Sequence, residues 1–242
     1  MLIDRALSNV FIIPNIKPSD GRIEKRTTKF MLEKTPRTTP SRYANQRMHY
    51  DEAVVFPILD EALFCTVSYS VDNQPFAIPT AFVRKENKLY IHGSVGSHFL
   101  REIEKGIPVC ISVMLTDALV VAKSAFHHSV NYRSVVIFSK AERIDDYEAK
   151  ALFFKELTEK IVPNSWDYLR PMKSKEVDKT TLLVFDIVEA SAKIRSGMPS
   201  DDEEDQNLPI WSGLIPIPSK RLSPIADELS VNIALPLHLV TA

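Results

Sequence analysis

Phe64-Cys65-Thr66-Val67-Ser68-Tyr69-Ser70-Val71 alternates apolar and polar side chains over eight residues. A strand buried on one face has that period, because successive side chains point to opposite sides of a sheet. Asp72-Asn73-Gln74-Pro75 follows and reads as a turn. Phe76 to Val83 then forms a second strand, with Pro79 at an edge or bulge position, since proline has no N–H for a ladder. Arg84 to Lys88 is a polar turn, and Leu89-Tyr90-Ile91-His92 is a third strand. Three short strands on short connections point to an antiparallel β unit.

Working outward, the pattern continues. Val109–Leu115, Ala118–Ala122 and Tyr132–Ile144 are strand-like, and Thr180–Glu189 is a last strand with Leu183, Phe185 and Ile187 on one face. Helices are predicted over Asp51–Leu63, over a segment running from Gly93 to Glu104 and stopping at Gly106, and over Tyr147–Val162. In the last, Tyr147, Ala151, Phe154 and Ile161 share one face and Pro163 ends the run. The fold class is mainly β (α+β): an antiparallel barrel or split barrel with accessory helices. Residues 1–45 read as a basic arm, interrupted by prolines, that either is a flexible, solvated extension or packs on a partner subunit or an anionic ligand; residues 1–35 are expected to be dispensable for cofactor binding. Residues 46–216 form the domain, and 217–242 a tail.

Composition narrows the function. Lys and Arg total 30 against 31 Asp and Glu, which argues against a general nucleic-acid binder, although residues 1–50 hold ten basic and four acidic side chains. Two cysteines cannot make a disulfide scaffold and fit a reducing compartment. The start lacks the apolar run of a signal peptide, and no window approaches the length of a membrane span, so a cytoplasmic protein is expected.

Only six glycines occur in 242 residues, and two of them sit in Leu89-Tyr90-Ile91-His92-Gly93-Ser94-Val95-Gly96-Ser97-His98. Backbone N–H groups and hydroxyls at a helix start favour a phosphate. The alternative is a tight turn that simply requires glycine. The second polar segment, Ser124-Ala125-Phe126-His127-His128-Ser129-Val130-Asn131-Tyr132-Arg133-Ser134, opens a long strand. Its paired histidines lack a third ligand at useful spacing, so no metal is expected. Trp211 is a ring that either covers a planar ligand or packs in a core or subunit contact. The acidic run Asp201–Asp205 lacks calcium-loop spacing and reads as a solvated loop. Together the two polar segments and Trp211 offer donors, small polar groups and an aromatic wall, as a phosphorylated, hydroxyl-rich aromatic ligand requires.

These stretches, with Arg42–Asp51, Gln74–Thr80 and Ser191–Gly213, resemble the pyridoxamine 5'-phosphate oxidase-like FMN-binding split barrels, in the branch related to nitroimidazole-resistance proteins. The resemblance covers roughly residues 36–216. It implies a six-stranded antiparallel split barrel, a homodimer with FMN at the subunit interface, and a small-molecule redox substrate. It places Pro79, Thr80, Tyr90, Ile91, His92, Gly93 and Ser94 along the flavin and ribityl chain, and Ser97 and His98 at the phosphate. It adds Ser124, His128, Asn131, Tyr132, Arg133 and Ser134 as further contacts, with Trp211 near the ring. His98 stands where relatives carry Arg or Lys, so Arg101 or Arg133 is expected to supply the missing cation. A haem-handling barrel and a non-enzymatic flavin-binding module are the alternatives.

Overall fold

A computed structural model of the chain describes residues 32–39 and 44–240. Most of the 1–45 arm therefore lies outside the described residues. In chain order the elements are α1 (Ala44–Arg47), β1 (Met48–His49), α2 (Glu52–Glu61), β2 (Phe64–Val71), β3 (Gln74–Lys85), β4 (Lys88–Ser94), α3 (His98–Ile103), β5 (Pro108–Val121) and β6 (Ser129–Lys140). There follow β7 (Glu142–Ile144), α4 (Tyr147–Ile161), α5 (Ser174–Asp178), β8 (Thr180–Asp186), β9 (Glu189–Arg195), β10 (Gly213–Pro216) and α6 (Leu237–Val240).

All the strands belong to one antiparallel sheet, ordered β1-β9-β6-β5-β2-β3-β4-β8-β7, with β10 added to the free part of β5. The sheet curls so that strands far apart in this order enclose one core. Val135 and Ile137 of β6, Val67 of β2, Ile91 of β4 and Phe185 of β8 are all buried in the same cluster. This is the expected split barrel. The six expected strands correspond to β2–β6 and β8; β9 and three short strands complete the sheet.

Several expected strand boundaries change. Tyr132–Ile144 starts at Ser129 and is split at Ala141 into β6 and β7. Val109–Leu115 and Ala118–Ala122 join as the single strand β5, which passes through a register shift between Thr116 and Ala118. Conversely, Thr180–Glu189 breaks after Asp186 into β8 and β9. Local chemistry explains the elements that matched. Asp72 and Asn73 both have positive φ and form the β2–β3 turn, a conformation that Asp and Asn tolerate. Asp51 caps α2 by accepting from the Ala53 N–H at 3.0 Å. Pro57 lies inside α2 on its exposed side, while Val55, Ile58 and Leu59 face the core.

The α4 helix is rotated from its expected register. Its buried stripe is Lys150, Phe153 and Leu157, and Tyr147 and Ile161 are exposed. Phe153 and Leu157 pack on Val83 and Leu182, covering the outer face of β3 and β8. The described part of the arm is also docked. Leu32 is buried in the main core, and Arg37 forms an ion pair with Glu189 and lies over the Phe138 ring.

Candidate functional site

The site begins where two neighbouring strands part. β3 is bonded to β2 from Gln74 to Ala81 but to β4 only from Phe82 to Lys85. The end of β4 turns to the other neighbour, with His92, Gly93 and Ser94 opposite Leu182, Thr181 and Thr180 of β8. The resulting fork is bordered by the β4–α3 connection. Ser94 closes that turn twice: its hydroxyl accepts from the Gly96 N–H at 3.2 Å, and its carbonyl accepts from the Ser97 N–H at 2.9 Å. Ser97 caps α3 by accepting from the Leu100 N–H at 3.4 Å. Gly93 is needed for packing, since a Cβ there would sit 2.7 Å from Leu100 Cδ1. His98 is exposed at the start of α3, 3.9 Å from Glu102, and Arg101 donates to the Gly96 carbonyl at 3.2 Å.

Strand pleating divides the residues expected along the flavin between two faces. Phe82 and Ile91 are buried inside the barrel, and Thr80 shares their side of β3 and Gly93 their side of β4. Pro79, Tyr90, His92 and Ser94 belong to the outer face. Tyr90 and Ile91 therefore cannot both line one ligand. On the outer face, Pro79 lies opposite Thr66 of β2, and Thr66 lies opposite Ser112 of β5. Phe64 and Met114 border this polar strip, 63% and 64% exposed. Neither Thr66 nor Ser112 is among the site residues that the sequence singles out. The period-2 pattern of β2 does reveal its polar face, but not which strands lie beside it.

His92 occupies the covered part of the outer face. Its ring lies 5.3 Å from Phe153 and 5.7 Å from Phe154 of α4. Its Nδ1 is buried without a hydrogen-bond partner among the described residues, and burial pushes its pKa below 6.5. Beyond Phe154 opens a cavity of about 740 Å³, lined also by Trp166, Leu169, Pro171 and Met172, with Arg170 and Glu176 at its polar side.

The second polar segment is elsewhere. It forms the hairpin between β5 and β6, and its last bonded pair is Val120–Ser129. The row through Pro79 and Thr66 crosses β5 at Ser112. Eight residues of strand, roughly 26 Å at the rise of an extended chain, separate Ser112 from the hairpin end at Val120, whereas Ser134, at the other end of the segment, lies opposite Met114, two residues along β5 from Ser112. Within this ribbon most of the expected contacts are engaged locally. His128 Nδ1 is 2.8 Å from the Ser124 carbonyl, Asn131 donates to Gly197 O at 3.1 Å, and Ser134 donates to Lys193 O at 3.2 Å. Tyr132 lies under Lys193, 6.0 Å from its ring centre. The Ser124 hydroxyl is buried with no partner.

Arg133 is held by Glu61 and Asp117, whose carboxylates raise its pKa further above the ordinary guanidinium value. Its charge is neutralised there, which removes it as a spare cation for a phosphate. Trp211 is 64% exposed and folds its ring onto Gly213, so it is no core residue. The acidic run is partly engaged: Asp201 accepts from the Lys123 N–H at 2.8 Å, and Asp202 lies 3.1 Å from His127 Nε2. No cluster of three metal-ligating side chains exists among the described residues, and no helix there is long and apolar enough to cross a membrane.

Comparison with known proteins agrees with this architecture. The family model described as pyridoxamine 5'-phosphate oxidase matches residues 51–194. The flavocytochrome Anf3 from Azotobacter vinelandii is 35% identical, with 86% of this chain and 96% of that one covered and a TM-score of 0.78. The FAD and haem binding protein from Mycobacterium smegmatis is 31% identical, with coverage of 81% and 97% and a TM-score of 0.76. A Bacteroides thetaiotaomicron structure described as a 5-nitroimidazole antibiotic resistance protein shares the fold at 18% identity, covering 61% of this chain and 86% of that one, with a TM-score of 0.53. A search of curated proteins found no match. The matched span runs from the start of α2 to the end of β9, through every strand that encloses the core, and the chain belongs to the pyridoxamine 5'-phosphate oxidase-like split-barrel family.

Proposed function

We propose that this protein is a flavin-binding redox protein that acts as a homodimer. The observation that carries the reading is its near-complete likeness, at 35% and 31% identity, to a flavocytochrome and to an FAD and haem binding protein. The outer face of the fork, with Pro79, Thr66, Ser112 and Ser94, is the surface that would receive the flavin. The tip of the β5–β6 ribbon, around Ser124 and His128, is roughly 26 Å along the strand from this surface, too distant to serve the same ring and ribityl phosphate within one chain, while Ser134 lies close to the fork beside Met114. A second copy would bring its ribbon, with Ser124 and Trp211, to the first copy's fork. FMN is the flavin implied by the sequence resemblance, whereas the 31% relative favours FAD. The flavin would supply electron or hydride transfer to a small molecule, and the chain would position it and exclude water. The family name does not carry the substrate with it.

A second reading adds haem, and His92 favours it. An imidazole whose Nδ1 has no hydrogen-bond partner among the described residues, flanked by Phe153 and by Phe154, which lines the neighbouring cavity, has the chemistry of an axial ligand. The test is the spectrum of freshly purified protein, followed by chromatography of the released cofactor. Flavin absorbance is expected, with FMN or FAD identified by retention. A Soret band that disappears in His92→Ala while the flavin remains would support the haem reading. Protein that stays colourless after incubation with both flavins overturns the proposal.

A further inference from the structure

We infer that the C-terminal tail, residues 217–240, is a clasp that closes on a second copy of this chain. The inference rests on the dimeric reading above. The tail leaves β10 at Pro216 and is anchored to its own chain at few points. Ile217 N–H donates to Asp117 O at 2.9 Å, Arg221 donates to Ile161 O at 2.7 Å, and the His238 ring lies 5.3 Å from that of Tyr168. None of its side chains enters either hydrophobic cluster. Nevertheless it is rich in large apolar residues. Leu222 is 83% exposed, Ile225 95% and Leu229 90%. A soluble chain rarely leaves so many such side chains in water without a partner surface.

The chemistry of the tail selects the partner. Lys220 and Arg221 are balanced by Asp227 and Glu228, so neither nucleic acid nor an anionic lipid surface would be drawn to it. Pro218, Pro224 and Pro236 prevent the long amphipathic helix by which chains lie in a membrane surface, and its only helix is the four-residue α6. Its place in the fold points to a second copy. β10 is bonded to the part of β5 that extends beyond β2, from Ala118 to Val121. The tail therefore starts on the ribbon that, in the dimeric reading above, meets the partner's fork. The fork is bordered by exposed Phe64 and Met114, which give the clasp apolar side chains to cover.

The test compares the full chain with two variants: the full-length triple variant Leu222→Asp, Ile225→Asp, Leu229→Asp, and a chain ending at Pro216. Sedimentation velocity over a concentration series gives the mass, and gel filtration gives the flavin retained. The full chain should run as a flavin-bearing dimer. Both variants should dissociate at concentrations at least tenfold higher, losing flavin in step, with the far-ultraviolet circular dichroism of the barrel retained. Should they remain as tightly dimeric as the full chain, the clasp is wrong while the shared-site reading survives. A monomeric full chain with flavin bound overturns both. Tail-dependent binding of the full chain to neutral phosphatidylcholine vesicles without dimerisation overturns the clasp in favour of a lipid surface.

Discussion

The barrel and the ribbon differ in what completes them. In the barrel, each apolar position of the alternating strands meets another from the same chain. Cys65, Val67 and Tyr69 of β2 are buried beside Ile111 and Val113 of β5 and Phe185 of β8. In the ribbon and tail the same kinds of residue stand in water, as Phe126 (89% exposed) and Ile225 show. The two regions even share one strand: β5 lies between β6 and β2 in the barrel, and between β6 and β10 in the ribbon. The contrast teaches that the barrel covers its apolar face from within the single chain, whereas the hairpin tip and the tail leave large apolar side chains uncovered.

The comparison breaks most sharply under truncation of one ring in each region. Phe185→Ala should cost about 3–5 kcal/mol of folding stability, because a fully buried ring leaves a cavity. Trp211→Ala should change the unfolding free energy of the monomer by no more than ~0.5 kcal/mol. Denaturant titration at low protein concentration measures both, and comparable losses would erase the distinction. Gly93→Ala should have a middle effect of about 1–3 kcal/mol, since Leu100 is itself buried and cannot easily yield to the added methyl group. Chemical denaturation again supplies the measurement, and an unchanged midpoint would mean that α3 shifts freely.

The smallest effect concerns acid. His92 has a folded pKa below its unfolded value, so below about pH 6.5 the unfolded chain binds a proton that the native ring resists. Its contribution to stability is thus lost as pH falls from that point toward the lower native pKa. His92→Phe should flatten this acid limb and leave stability near pH 8 little changed. Thermal melts of both proteins from pH 4.5 to pH 8 check the sign; parallel curves would place the titration elsewhere.

The barrel was legible because its strands announce themselves locally. The period-2 run of β2, the Asp72-Asn73 turn and the capping Asp51 each act within a few residues. β9 was hidden because Glu-Ala-Ser-Ala-Lys-Ile-Arg lacks the β-branched density of its neighbours and is made a strand by pairing with β6. The facing of α4 was misread because its sequence offers two apolar stripes one residue apart, and the sheet selects between them. In the site, the stretches containing Gly93 and Ser124 were recognised as polar and special, but not the distance between them. Strand register sets that distance, and no short window of sequence contains it. Arg133 looked available for the same reason: Glu61, one of its two carboxylate partners, lies 72 residues away.

Pro75 and Pro79 have a consequence beyond the fork. Both are paired with β2, at Ser70 and Thr66, and both belong to the part of β3 that has no bonded neighbour on its other side among the described residues. With an even spacing of four residues, both backbone nitrogens point to that open side. An unpaired strand edge is a template on which another chain can add itself and begin aggregation. Here two of the N–H groups such an intruder would need do not exist. The prolines thus let the barrel keep an open edge beside its candidate site while discouraging strand addition there.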